Sequence, residues 1–167
     1  SALGTDLARA NGGGAILVSA GLTVNNALTL ARTATGTANL NLNAGASWSG
    51  GITLDNTVTQ TTGTQFASIR SNSTDSLNPG VVSGNVGVSP LGAATQPALV
   101  LRGTAGFGRL SGSLSLSTGT LQLQDTSNWE FANASNTWGS LDINNAGAIV
   151  TVGAANTLSS GAVVTST

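Results

Sequence analysis

The sequence predicts an all-β chain wound as a parallel β-solenoid, and three observations carry that prediction. Short segments alternate apolar with small polar residues, breaks rich in Gly, Asn and Ser restart the alternation, and apolar residues rarely recur at helical spacing. Leu40-Asn41-Leu42-Asn43, Ile52-Thr53-Leu54-Asp55, Leu121-Gln122-Leu123-Gln124 and Leu141-Asp142-Ile143-Asn144 share one design. Successive strand residues point to opposite faces, so each segment offers one face to a core and one to water. A β-sandwich is the alternative, but its strands are usually longer and joined by hairpin turns. Solenoid strands are short and meet at corners, where Gly and Asn tolerate left-handed backbone. Stacked Asn, Ser and Thr can also bond from rung to rung. At about 20–25 residues per rung the 167 residues form one domain of roughly seven rungs. At ~4.8 Å between strands that is about 30–35 Å of axial length.

Taken in order, residues 5–11 form the best helical stretch, which is short and ends at Gly12-Gly13-Gly14. Strands are expected at 15–19, 22–24 and 27–30, where Ile16, Val18, Val24, Leu28 and Leu30 supply an apolar face. The pattern resumes at 38–43 and 51–55, then at 58–61, 66–70, 81–82 and 86–88. Four more segments follow at 98–102, 112–117, 120–124 and 129–131, and three at 140–144, 148–152 and 162–165. β-Branched Thr and Val run throughout and favour extended backbone. Residues 72–80 and 90–97 contain Pro with little apolar pattern and read as loops or excursions.

Composition narrows function. Charged residues are 7% of the chain, against about a quarter in an ordinary domain. Low hydrophobicity with high net charge marks disorder, and this chain has neither. There is no Lys, and Arg9, Arg32, Arg70, Arg102 and Arg109 are scattered, which does not supply the cation track a nucleic acid needs. A net charge of −1 removes repulsion between copies and eases self-association. Cys, His and Met are absent, so disulfides and Cys or His metal sites are excluded. No run of about 18 apolar residues offers to span a bilayer.

Residues 135–165 read SNTWGSLDINNAGAIVTVGAANTLSSGAVVT. Asn136-Thr137-Trp138-Gly139 opens a phrase, Leu141-Asp142-Ile143-Asn144 is its first strand, and Ile149-Val150-Thr151-Val152-Gly153 its second. Ala155-Asn156-Thr157-Leu158 with Gly161 closes it, and Trp48-Ser49-Gly50-Gly51-Ile52-Thr53-Leu54 looks like another copy of the opening. This resembles the autotransporter-associated β-strand repeat of large bacterial surface proteins. The resemblance covers 99–167, is fainter over 39–55 and is absent from 57–88. It implies a right-handed parallel β-helix on the outer surface of a bacterium, serving as stalk, adhesin body or fibre. It brings no catalytic residues, because none define the repeat.

Chemistry is sparse. Among Asp6, Asp55, Asp75, Asp125, Glu130 and Asp142, only Asp125 and Glu130 are close in sequence. Glycosidase work needs two carboxyls about 5–10 Å apart. A lyase-type site with calcium would have to use Asp125, Glu130 and Arg109, and no motif supports it. With no Lys or His as base, the expectation is a chain that is not an enzyme and takes no cofactor. Asn11-Gly12-Gly13-Gly14 lacks the Lys and helix of a phosphate loop and the Asp of a calcium repeat, so it reads as a turn. Asn72-Ser73-Thr74 and Asn133-Ala134-Ser135 match the glycosylation sequon, as chance allows in so Asn-rich a chain.

The aromatics Trp48, Trp129, Trp138, Phe66, Phe107 and Phe131 fit core or corner packing first. Trp129, Phe131 and Trp138 are also the candidates for a glycan-stacking patch or a contact with a neighbouring subunit. Val163 and Val164 lie in strand-like sequence with no obvious cap and join them as candidate self-association residues. The chain then reads as a segment of a longer solenoid or as a subunit that continues head to tail. The leading functional expectation is a stiff extracellular rod, as stalk or filament, whose partners are copies of itself. A glycan- or host-binding adhesin is the second, and a polysaccharide-active enzyme a distant third.

Overall fold

In the computed structural model the alternating segments become short parallel strands on three faces of one coil. The structure describes residues 4, 6–33, 36–55, 57, 66–88, 98–153 and 163–166. The first turn carries β1 (Ala8–Asn11), β2 (Ala15–Val18) and β3 (Thr23–Val24), and the second β4 (Leu28–Ala31), β5 (Ala38–Leu42) and β6 (Ser47–Trp48). The third has β7 (Ile52–Asp55), β8 (Ala67–Ser71) and β9 (Gly80–Val82), and the fourth β10 (Val86–Val88), β11 (Leu99–Arg102) and β12 (Phe107–Leu110). The fifth has β13 (Leu114–Ser115), β14 (Thr120–Leu123) and β15 (Asn128–Phe131). After it come β16 (Ser140–Ile143), β17 (Ile149–Val152) and β18 (Val163–Ser166).

Every strand pairs in parallel with its counterpart one turn away. The first face runs β1-β4-β7-β10-β13, the second β2-β5-β8-β11-β14-β16-β18, and the third β3-β6-β9-β12-β15-β17. Five turns are complete, where about seven rungs were expected from length. Among the described residues, a sixth reaches the first face as a bridge between Ser115 and Thr137, and the seventh contributes β18. Unequal turns explain the difference: Thr120 pairs with Ser140, 20 residues on, whereas Ile52 pairs with Val86, 34 residues on. The seven-stranded second face spans roughly 29 Å at ~4.8 Å per strand.

Residues 5–11, the best helical stretch by sequence, contain β1 instead. Ala8 and Ala10 face inward against Leu28 and Leu30, and pairing with β4 decides the conformation over a local preference too short to nucleate a helix. Besides β1, two strands have no counterpart among the expected ones, β6 and β12. The expected strand at 58–61 and the loop at 90–97 lie outside the described residues. Residues 72–79 do form a loop, and Gly80 already belongs to β9.

Sheets in most parallel proteins are covered on both sides and lose their alternation. A solenoid has only one inner side, so the alternation survives, as the buried, exposed, buried order along β7 shows. The core is a set of in-register stacks: Leu40, Ile69, Leu101 and Leu123 on the second face, and Trp48, Val82, Leu110 and Phe131 on the third. All eight are at most 1% exposed. Each fully buried aliphatic or aromatic side chain of this kind contributes about 1.5–3 kcal/mol.

The corner between the third and first faces requires glycine for a steric reason. Asn26, Gly50, Gly84 and Gly112 stack there in consecutive turns. A Cβ on Gly84 would overlap the Gly50 carbonyl, and one on Gly112 would overlap the Gly84 carbonyl. Outside the coil, polar ladders tie the turns: Thr23 to Ser47 at 2.9 Å, Asn43 to Asn72 at 3.1 Å and Thr120 to Ser140 at 2.8 Å.

Candidate functional site

Trp129, Phe131 and Trp138, considered from the sequence as glycan or subunit contacts, are core residues at 0%, 1% and 2% exposure. That corrects the contact reading, since no ring face is open to a ligand. Trp129 and Phe131 alternate inward on β15, and the Trp129 indole N–H donates to the Arg102 carbonyl at 3.3 Å. The Trp138 ring lies 5.5 Å from that of Phe131, tilted by 50°. Room for Trp129 comes from Gly108 on the neighbouring turn, where a Cβ would fall 2.6 Å from the indole. Val163 and Val164 pair through their backbones with Ser140 and Leu141, and no further described strand follows β18 on its other side.

The carboxylates are dispersed onto separate partners. Asp125 sits at a corner in the left-handed region, φ 60°, which Asp tolerates better than most residues. Its Oδ2 lies 3.5 Å from Arg102 and 3.8 Å from Arg70, two arginines in register on adjacent strands. Those are ion-pair distances beyond hydrogen-bond length, and they offset the repulsion of like charges placed side by side. Glu130 instead faces Arg109 at 3.4 Å. The fold therefore does not gather Asp125, Glu130 and Arg109 into one site. Asp55 accepts from the Thr57 hydroxyl at 2.7 Å and from Arg9 at 3.0 Å. The Thr57 hydroxyl, then its backbone N–H and Arg9, hold the Asp55 carboxyl below the usual range against an opposing effect of burial. Burial pushes the Arg32 guanidinium down from its ordinary value.

Among the described residues, β1, β2 and β3 have a strand neighbour on one side only, and so do β17 and β18. Leu22 is 51% exposed on the first turn, whereas the exposed Leu17 and Ile149 lie on the outer side of the coil, in register with Asn41 and Asn128. Val152 continues the inner stack of Leu110 and Phe131 and is 40% exposed, because no described rung covers it.

A cleft of about 180 Å³ opens on the third face beneath the 72–79 loop. Ser76 and Pro79 form its wall, and Phe107, Asn128, Glu130 and Thr151, from three successive turns, form its floor. The loop is braced from within. The buried Ser71 hydroxyl donates to the Phe107 carbonyl, the Phe107 N–H donates to Ser73 O at 2.7 Å, and the Ser73 hydroxyl donates to Asn78 O at 2.6 Å. Asp75 accepts from Asn78 Nδ2 at 2.7 Å and from the Leu77 N–H at 2.9 Å. Those two donors, the Asn78 amide first, lower its carboxyl below the ordinary range.

Sequence reasoning missed this cleft. Its residues lie as far apart as Ser76 and Thr151, and only the register of β12, β15 and β17 puts them together. The one local signal was the serine-rich break before Pro79. No family model, curated protein or solved structure matches the chain. The fold thus defines its class, a three-faced parallel β-solenoid, and among the described residues no helix is long and apolar enough to cross a membrane.

Proposed function

We propose that this chain is a structural rod of a bacterial outer surface, a solenoid that continues end on end either as a stalk or as a head-to-tail filament. The observation that carries the reading is the outer edge of β17, which no described strand covers. Val152 is 40% exposed at the top of a stack whose other members are buried, beside an edge of β17 that no described strand pairs. One more parallel rung would cover the side chain and pair the edge, and the first turn of a second copy would supply such a rung. Repeating that heterologous contact builds a filament when no rotation closes it. Extracellular placement rests on the resemblance to the autotransporter-associated repeat, whose two strand phrases fall on β16 and β17.

Negative-stain microscopy of the purified protein tests the filament form. Fibres with an axial repeat of about 30 Å, dispersed by Val152→Asp, are the expected result. Isolated rods that the substitution leaves unchanged would overturn self-assembly and assign the solenoid to a stalk within a longer chain. The second reading, an adhesin segment, no longer draws on the buried tryptophans; the cleft on the third face favours it instead.

A further inference from the structure

We infer that the cleft between the 72–79 loop and strands β12, β15 and β17 is a binding subsite for a single neutral sugar ring. This goes beyond the rod reading and stands independently of it. Size sets the first limit. At about 180 Å³ the cleft is smaller than the roughly 300–1,000 Å³ of sites for drug-sized ligands, so it admits one ring and excludes a folded peptide segment.

The lining decides the chemistry. A pyranose has an apolar face of C–H bonds and a rim of hydroxyls that both donate and accept. Phe107 and Pro79, both half-buried, supply apolar surface for the first. Glu130 offers a carboxylate acceptor, Asn128 a donor and an acceptor, and Ser76 and Thr151 hydroxyls that do either. Arg109 holds Glu130 at 3.4 Å while both stay partly exposed, so the carboxylate is oriented without being closed off. The Thr151 hydroxyl meets Asn128 Oδ1 at only 3.4 Å, a weak bond readily exchanged for one to a ligand. An anionic sugar is disfavoured by Glu130 on the floor, and a cation by the neighbouring Arg109.

The site is also formed in advance. Ser71, Ser73 and Asp75 fix the loop to itself and to β12, and the floor is three hydrogen-bonded rungs. Little ordering entropy is then lost on binding, which is the condition under which a small site holds a small ligand.

Saturation-transfer-difference NMR on the full chain, with the methyl glycosides of glucose, galactose, mannose and N-acetylglucosamine as probes, tests the inference. The expected result is transfer to the ring C–H protons of at least one probe with a Kd of ~1 mM, weakened about tenfold or more by Phe107→Ala and by Glu130→Gln. Ser76→Trp, which fills the cleft from an exposed position and leaves every floor residue unsubstituted, should abolish the signal in a protein whose circular dichroism is unchanged. Thr29→Ala on the first face should leave it intact. No transfer to any of the four probes, or transfer that survives both Phe107→Ala and Ser76→Trp, would overturn the assignment.

Discussion

Replacing Gly84 with alanine tests the corner geometry that spaces the whole coil. The new Cβ would lie 2.5 Å from the Gly50 carbonyl carbon and 2.9 Å from Ser49 O, overlapping the Gly50 oxygen itself. Both obstacles are backbone, held by strand pairing one turn away, so no side chain can rotate aside. Relief requires the corner to move outward, which stretches the bonds from the Ser83 and Gly84 N–H groups to Trp48 O, now 2.9 and 3.3 Å. Overpacking costs about 1–3 kcal/mol, and each weakened backbone bond about 0.5–1.5 kcal/mol. The sum is roughly 2–6 kcal/mol, which at about 2–4 °C per kcal/mol is about 4–24 °C in Tm for a domain of this size. Gly51→Ala is the internal control. Its Cβ meets nothing nearer than Asn85 O at 3.9 Å, and it should be neutral or stabilising by up to about 1 kcal/mol through the unfolded chain. Thermal melts of both variants followed by circular dichroism decide the matter. A Gly84→Ala protein melting within about 2 °C of Gly51→Ala would refute the steric account of the corner.

Trp129→Ala empties the space below Gly108 and should cost about 3–5 kcal/mol in urea titrations, where a purely surface role predicts less than 0.5 kcal/mol by order of magnitude. Asp125→Asn keeps the left-handed corner but leaves Arg70 and Arg102 uncompensated; a loss of about 0.5–1 kcal/mol is expected, discounted for solvent exposure. Adding Arg70→Gln should recover most of that loss, and a double variant no better than the single one would count against the charge argument. Asp55 has a folded pKa below its unfolded value, so its contribution is complete above the ordinary carboxylate range and fades as pH falls through the lowered folded value. Asp55→Asn should therefore flatten the acid limb of a Tm-against-pH curve by less than about 1 kcal/mol, while leaving the neutral region parallel to the parent.

How far the sequence reached depends on whether a structural decision is local. Leu40-Asn41-Leu42 and Ile52-Thr53-Leu54 announce their inner and outer faces because a strand has a period of two, and β5 and β7 follow them residue for residue. β12 escaped notice because Gly108 interrupts the apolar pattern. That glycine serves Trp129 on the next turn, a relation no window along the chain contains. Ser47 and Trp48 were too short to read as a strand, and pairing with β3 and β9 makes them one.

Alternation, corner glycines and the lack of charge were enough to determine an all-β coil with a leucine-lined interior and polar ladders outside. Each is set by the geometry of one residue and its immediate neighbours. The tertiary structure alone decided the length of each turn, the burial of Trp129, Phe131 and Trp138, the sharing of Asp125 between two arginines, and the cleft floored by Phe107, Asn128, Glu130 and Thr151. All of these depend on register between turns 20 to 34 residues apart. Register is the sum of stacking over the whole coil, so one-residue differences in the corners decide which side chains meet.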